Sequence, residues 1–263
     1  MTELGDLLGL PEKARMRQRL TKKEIVGQYE GTSPSDARLL TKVIASATIA
    51  GVLRPETIGV PTFQDAERRA DFIPVLDVAL AEGARPGDRT RVAELLHRSM
   101  PRPTILAFEM PDREAVLSLA LTRLSKTDAG QETSVIEASL LTELDRIDPG
   151  ALSIRRLNQG DLWALYRDLV RTAAADGHPA SAALTAYEAV ALRQRLANLD
   201  AELEALARDA QREKNQQRRI DLNSHGRALR TEIETVRGTL YAPAVDPVAI
   251  SPMSLVTDEG RNT

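Results

Sequence analysis

The chain has 263 residues, 42% of them hydrophobic, enough for one globular body of about 180 residues plus a helical extension. It has no cysteine, which excludes disulfides, thiolate metal sites and cysteine nucleophiles at once, and only 3% of its residues are aromatic, so its core is aliphatic. A formal net charge of -3 argues against a protein that coats nucleic acid with its whole surface, and with no signal peptide or long apolar span the default reading is a cytoplasmic chain without a membrane partner.

Residues 1–31 read as a basic N-terminal arm. Lys13, Arg15, Arg17, Arg19, Lys22 and Lys23 form the densest basic run in the chain. Arg15, Arg17 and Arg19 alternate with Met16, Gln18 and Leu20, so an extended backbone would set the three in one row able to follow phosphates. The plain alternative is a solvated arm, or one docked on acidic surface.

Residues 32–180 read as an α+β body. Ser33 and Pro34 open a helix, with Asp36 complementing its dipole, that runs to about residue 52 on a stripe of Leu39, Leu40, Val43, Ile44, Ala47 and Ile49. Residues 57–60 read as a short strand. Stronger strands follow at 72–80 and 104–108, linked by a helix over 89–99, and the second turns at 110–113 into 115–124 as a hairpin. Residues 135–144 alternate as a strand, with a helix as the open alternative. Residues 158–161 cap a helix whose stripe is Leu162, Leu165, Leu169 and Val170, with Trp163 and Tyr166 beside it, and Gly177-His178-Pro179 breaks it.

Residues 181–240 form a helical arm. Leu192, Leu196, Leu199, Leu203 and Leu206 recur at steps of four and three, the spacing of a coiled-coil seam. The seam turns polar at Ala210, Glu213 and Gln217, and a second apolar series through Gly226, Leu229, Ile233, Val236 and Leu240 runs in shifted phase. One unbroken helix of this length would reach roughly 80 Å and must find a partner. Either two chains pair along it, the preferred reading, or it folds back near Asn223-Ser224-His225-Gly226. A second basic group, Arg212, Lys214, Arg218 and Arg219, falls where the seam is lost, as a contact or a solvated face. Residues 241–263 carry three prolines without a period and read as an extended or disordered tail.

Groups for catalysis are sparse. His97, His178 and His225 are too scattered to ligate one metal, and no glycine-rich phosphate loop is present, so neither metal nor cofactor is expected. A nuclease would need carboxylates and a lysine on adjacent strands; Asp77 and Glu109 lie on or near strands, but no Glu-x-Lys follows.

Arg212-Glu213-Lys214-Asn215-Gln216 with Asp221-Leu222-Asn223 resembles the charged signature near the end of a bacterial family known only as a domain of unknown function. Leu10-Pro11, Arg19-Leu20-Thr21-Lys22-Lys23, Ser35-Asp36, Leu53-x-Pro55-x-Thr57-Ile58 and the strand at 102–108 are similar to that family's opening. The resemblance implies a neighbourhood: members sit beside an SNF2-like or DEAD-box helicase and a DNA methyltransferase in anti-phage defence islands. It carries over no catalytic residue.

The sequence therefore predicts an α+β chain, a mostly antiparallel sheet flanked by helices, with helices on one side, followed by a long coiled-coil arm. Its expected role is a non-catalytic subunit of a defence complex. Arg15, Arg17, Arg19, Lys22, Lys23, Arg212, Lys214, Arg218 and Arg219 would meet nucleic acid, while Leu192, Leu196, Leu199, Leu203, Leu206, Leu229, Ile233 and Val236 drive oligomerisation. The alternative is a divergent metal-dependent nuclease.

Overall fold

The computed structural model describes residues 4–21, 24–25, 33–110, 113–125, 133–148 and 150–241, so that beyond Tyr241 the expected tail lies outside the described residues. In chain order come α1 (Leu4–Leu7), β1 (Arg15–Leu20), α2 (Pro34–Val43), β2 (Ile44–Leu53) and α3 (Pro55–Ile58). The short pair β3 (Phe63–Gln64) and β4 (Arg69–Ala70) precedes β5 (Ile73–Leu80), α4 (Pro86–Ser99), β6 (Ile105–Met110), β7 (Arg113–Leu124) and β8 (Ser134–Glu143). Three helices follow: α5 (Leu162–Ala174), α6 (Ala186–Arg212) and α7 (Gln216–Leu240).

Six strands form one sheet in the order β1-β2-β5-β6-β7-β8. Every neighbouring pair is antiparallel except β5 and β6, so the sheet is mostly antiparallel. A parallel pair needs a crossover long enough to carry the chain back, and α4 supplies it. Alternate strand residues face opposite sides. Leu76, Val78, Leu80, Leu106 and Phe108 pack with Leu40 and Val43 of α2 and with Val92, Leu95 and Leu96 of α4. Ile73, Val75, Ile105, Ala107, Leu117, Leu119 and Leu121 pack instead with α1, α5, α6 and α7. Helices therefore cover both faces, which corrects the expectation of one.

The helix expected to reach residue 52 stops at Val43, and Ile44, Ala47 and Ile49 belong to β2. The segment is mostly apolar, without the clean alternation that would betray a strand; Ile44, Thr48, Ile49 and Val52 supply the β-branched bias. At 57–60 the expected strand is a single helical turn, begun by Pro55 and closed by Gly59, whose φ of 75° suits glycine. The alternatives at 135–144 resolve to strand, and the hairpin of β6 and β7 forms as expected. The N-terminal segment is built into the body: β1 pairs with β2, and Leu4, Leu8 and Leu10 are buried. Among the described residues no helix is long and apolar enough to cross a membrane.

The arm folds back on itself, at a different place from the one expected. Helix α6 ends at Arg212, Glu213 to Asn215 turn the chain, and Asn215 caps α7 by accepting a hydrogen bond from the Arg218 N–H at 3.1 Å. The Arg195–Glu232 ion pair and the contact of Glu202 with His225 fix an antiparallel register. The polar interruption of the seam is the turn, and the phase shift is the returning helix. Gly226 sits inside α7, where a Cβ would lie 3.4 Å from Leu206 and 3.7 Å from Leu203 at ordinary contact distance, so this glycine makes no turn.

A candidate nucleic-acid interface

The seam residues split in two along the hairpin. Leu196, Leu199, Leu229 and Ile233 are buried within the chain, while Leu192, Leu203, Leu206 and Val236 are half-buried against the same core. The need for a second chain that a lone helix would impose is met by the fold. From Asp200 to His225 no residue is buried, so this half of the hairpin touches little beyond itself. From Leu199 to the turn it extends about 20 Å at 1.5 Å per residue. Its tip gathers Arg208, Arg212, Lys214, Arg218 and Arg219 against Asp209, Glu213 and Asp221, and Ile220 beside them is 52% exposed. Leu203, Leu206 and Leu222 line an open groove of about 410 Å³ below the tip.

The other predicted cations lie elsewhere. Arg15 is held inside its own segment, donating to the Leu10 carbonyl at 3.0 Å and pairing with Asp6 at 2.7 Å, which removes it from a phosphate row. The pairing of β1 with β2 shifts register between Arg15 and Gln18, so the three arginines do not form an uninterrupted every-other-residue row. Arg17 and Arg19 are exposed on this edge strand, and Lys22 and Lys23 lie outside the described residues. Helix α6 packs on β8, the opposite edge, so the fold does not bring the two predicted basic groups into one cluster.

One cationic cluster escaped the sequence. Arg54 follows β2, Arg69 lies in β4, Arg102 precedes β6 and Arg123 closes β7, so four segments deliver them to the same end of the sheet. Arg68 and Arg167 join from the β3–β4 turn and α5. The guanidinium of Arg102 sits 4.0 Å from the centre of the Phe72 ring and that of Arg54 at 5.6 Å; Arg68 and Arg167 lie 5.4 and 5.9 Å from the Trp163 ring. Two partly exposed carboxylates beside them pair with four of these arginines. Asp71 takes Arg69 at 3.0 Å and Arg102 at 3.1 Å; Glu137 takes Arg68 at 2.7 Å and Arg123 at 3.6 Å. Tyr187 donates to Glu137 at 2.6 Å and accepts from Arg68 at 3.2 Å. Burial alone would lower the pKa of Arg68, but these hydrogen bonds from Arg68 to Glu137 and Tyr187 raise it above the usual arginine value. Burial likewise pushes Glu137 upward, and its bonds from Tyr187 and Arg68 bring it below the usual carboxylate range, so the network stays ionised.

A cavity of about 370 Å³ opens between α4 and the strands β7 and β8, with His97 and Ser118 on its wall. His97 Nε2 and Ser118 Oγ are 3.0 Å apart, and burial pushes the imidazole pKa down to about 3, so the ring is neutral near neutral pH. A serine beside a neutral histidine has the elements of a nucleophile and its base. The carboxylate that lines the cavity, Glu94, is engaged by Arg91 at 2.7 Å and Arg98 at 3.1 Å and makes no hydrogen bond to the ring, and the His97–Ser118 pair is a satisfied core contact. Asp77 and Glu109 face the same side of β5 and β6, two residues apart along the strands, or about 8 Å from strand spacing and rise. Position 79, where an Asp-x-Lys pattern would place its lysine, is alanine. Among the described residues no group of His, Cys, Asp or Glu is arranged to hold a metal ion.

Residues 8–233 match the family described as a domain of unknown function (DUF4391), and the chain belongs to that family. No curated protein and no solved structure matches it.

Proposed function

We propose that this member of the DUF4391 family is a non-catalytic subunit that contacts nucleic acid and assembles with protein partners, working beside a helicase or DNA methyltransferase in an anti-phage defence complex. The observation that carries the reading is the hairpin: its outer half has no fully buried residue, yet it is helical, capped and cationic at the tip. A feature that adds so little to the core is maintained for what it touches outside. Arg212, Lys214, Arg218 and Arg219 give the tip its nucleic-acid contact, and Leu203, Leu206 and Leu222 give a partner helix an apolar footing along the groove. Arg17 and Arg19 extend contact along the β1 edge. The defence setting is taken from the family resemblance of the charged signature at 212–223.

Two experiments test the reading. If Arg218 and Arg219 touch phosphates, the Arg218→Gln, Arg219→Gln chain shows a log-log salt dependence of duplex DNA binding flattened by about two, at roughly 0.9 per contact. Equal slopes for both chains refute the tip contact. For assembly, the helicase or methyltransferase of the same system co-purifies with the intact chain and is lost on Leu203→Asp; retention despite that change refutes the groove. The shared face of Asp77 and Glu109 favours the nuclease as second reading, which requires magnesium-dependent DNA cleavage that vanishes in Asp77→Ala or Glu109→Ala.

A further inference from the structure

We infer that the arginine-lined end of the sheet is a second docking face, one that takes the phosphodiester backbone of a nucleic acid independently of the hairpin tip. Arg68, Arg69, Arg102 and Arg123 line one depression together with Thr122, Ser134 and Trp163, and among the described residues no carboxylate lines it. Asp71 is shared by Arg69 and Arg102 and so does not neutralise that pair, whereas Arg68 and Arg123 are balanced by Glu137 and Glu67. Arg54 and Arg167 are exposed at its rim and, among the described residues, make no ion pair. With Glu67 beside Arg68 and Asp65 on its backbone N–H, six arginines face four carboxylates among the described residues, in a chain whose formal net charge is -3. Arg68 also keeps a buried Nε–H without a hydrogen-bond partner.

The size of the depression selects the ligand. At about 10 Å³ it admits roughly one water-sized group, too little to engulf a nucleotide or a free phosphate. It fits a single phosphoryl oxygen projecting from a polymer that lies across the rim. Phe72 and Trp163 have guanidinium groups held over them, so the rings hold the cations in place and offer no open platform for bases. Contact is therefore with phosphates and independent of sequence.

Trp163 is the single tryptophan, and it lies under Arg68 and Arg167, so its fluorescence reports on this face and not on the distant tip. Titration of the full chain with a short DNA duplex at low salt should change Trp163 emission to saturation, while inorganic pyrophosphate should not. The Arg54→Gln, Arg167→Gln chain should lose about two from the salt slope, and the Arg54→Lys, Arg167→Lys chain should regain it, because phosphate contact needs the charge. DNA binding with unaltered emission and an unaltered slope in the Gln chain overturns the inference, as does saturation by pyrophosphate. The hairpin proposal is tested apart: only Arg218 and Arg219 changes alter binding if it alone holds, only Arg54 and Arg167 changes if this face alone holds, and absence of DNA binding defeats both.

Discussion

Replacing Leu199 with alanine distinguishes a seam closed within the chain from one shared between chains. Leu199 is 0% exposed and belongs to the same buried cluster as Leu196, Leu229, Ile233 and the α5 residues, so its loss opens a cavity the rigid hairpin cannot collapse. Such a change costs about 2–5 kcal/mol. At about 3 kcal/mol the melting temperature of a chain this size falls by roughly 6–12 °C. Leu203, half-buried four residues further along, should cost less in the same assay because part of its surface is already in water. The assay is thermal unfolding followed by circular dichroism across a wide range of protein concentration. The account expects the Leu199→Ala drop to be the same at every concentration, because the partner helix is covalently attached. A drop that disappears on dilution, with wild-type melting that depends on concentration, would show that a second chain fills the seam and refute the argument.

Tyr166→Phe should destabilise by about 1–3 kcal/mol, measured by urea unfolding, because the buried hydroxyl donates toward the carbonyls of Thr104 and Ala120 and accepts from the Ala120 N–H at 3.0 Å, and these groups would be left unpaired. His97, held neutral by burial with its pKa near 3, is depressed below its unfolded value of about 6.5; its contribution is complete above that value and is lost as pH falls toward 3. The urea midpoint should therefore fall more steeply below pH 6.5 in the native chain than in His97→Gln, and parallel profiles would contradict this. Gly226→Ala should leave stability unchanged or raise it by up to about 1 kcal/mol, since the residue is helical and its new methyl would meet Leu206 at contact distance; a large loss would mean the backbone there is a turn.

Much of the body was legible because its signals are local. Proline and glycine punctuation placed α4 and the β6–β7 hairpin, and Asp161 caps α5 by accepting from the Ala164 N–H at 2.7 Å, as its position suggested. The boundary between α2 and β2 was hidden because the strand is mostly apolar and shows no clean period-2 alternation. In the arm, the leucine steps gave helix but could not say whether it pairs with a second chain or folds back, and Gly226, read as the site of a turn, lies inside α7. The tip was legible as a run of charge at 212–219. The arginine end of the sheet was not: Arg54, Arg68, Arg69, Arg102, Arg123 and Arg167 come from scattered segments, and only the strand register joins them. Lone arginines give no pattern to read until the sheet order is known.

We propose that the helical hairpin brings its cationic tip to nucleic acid. The most direct measurement places a photoreactive residue at Lys214 in the full chain, irradiates it with DNA and the co-purified partners, and identifies what is covalently attached. The account predicts attachment to DNA, lost in the Arg218→Gln, Arg219→Gln chain. Attachment to protein alone, undiminished by those changes, would contradict it.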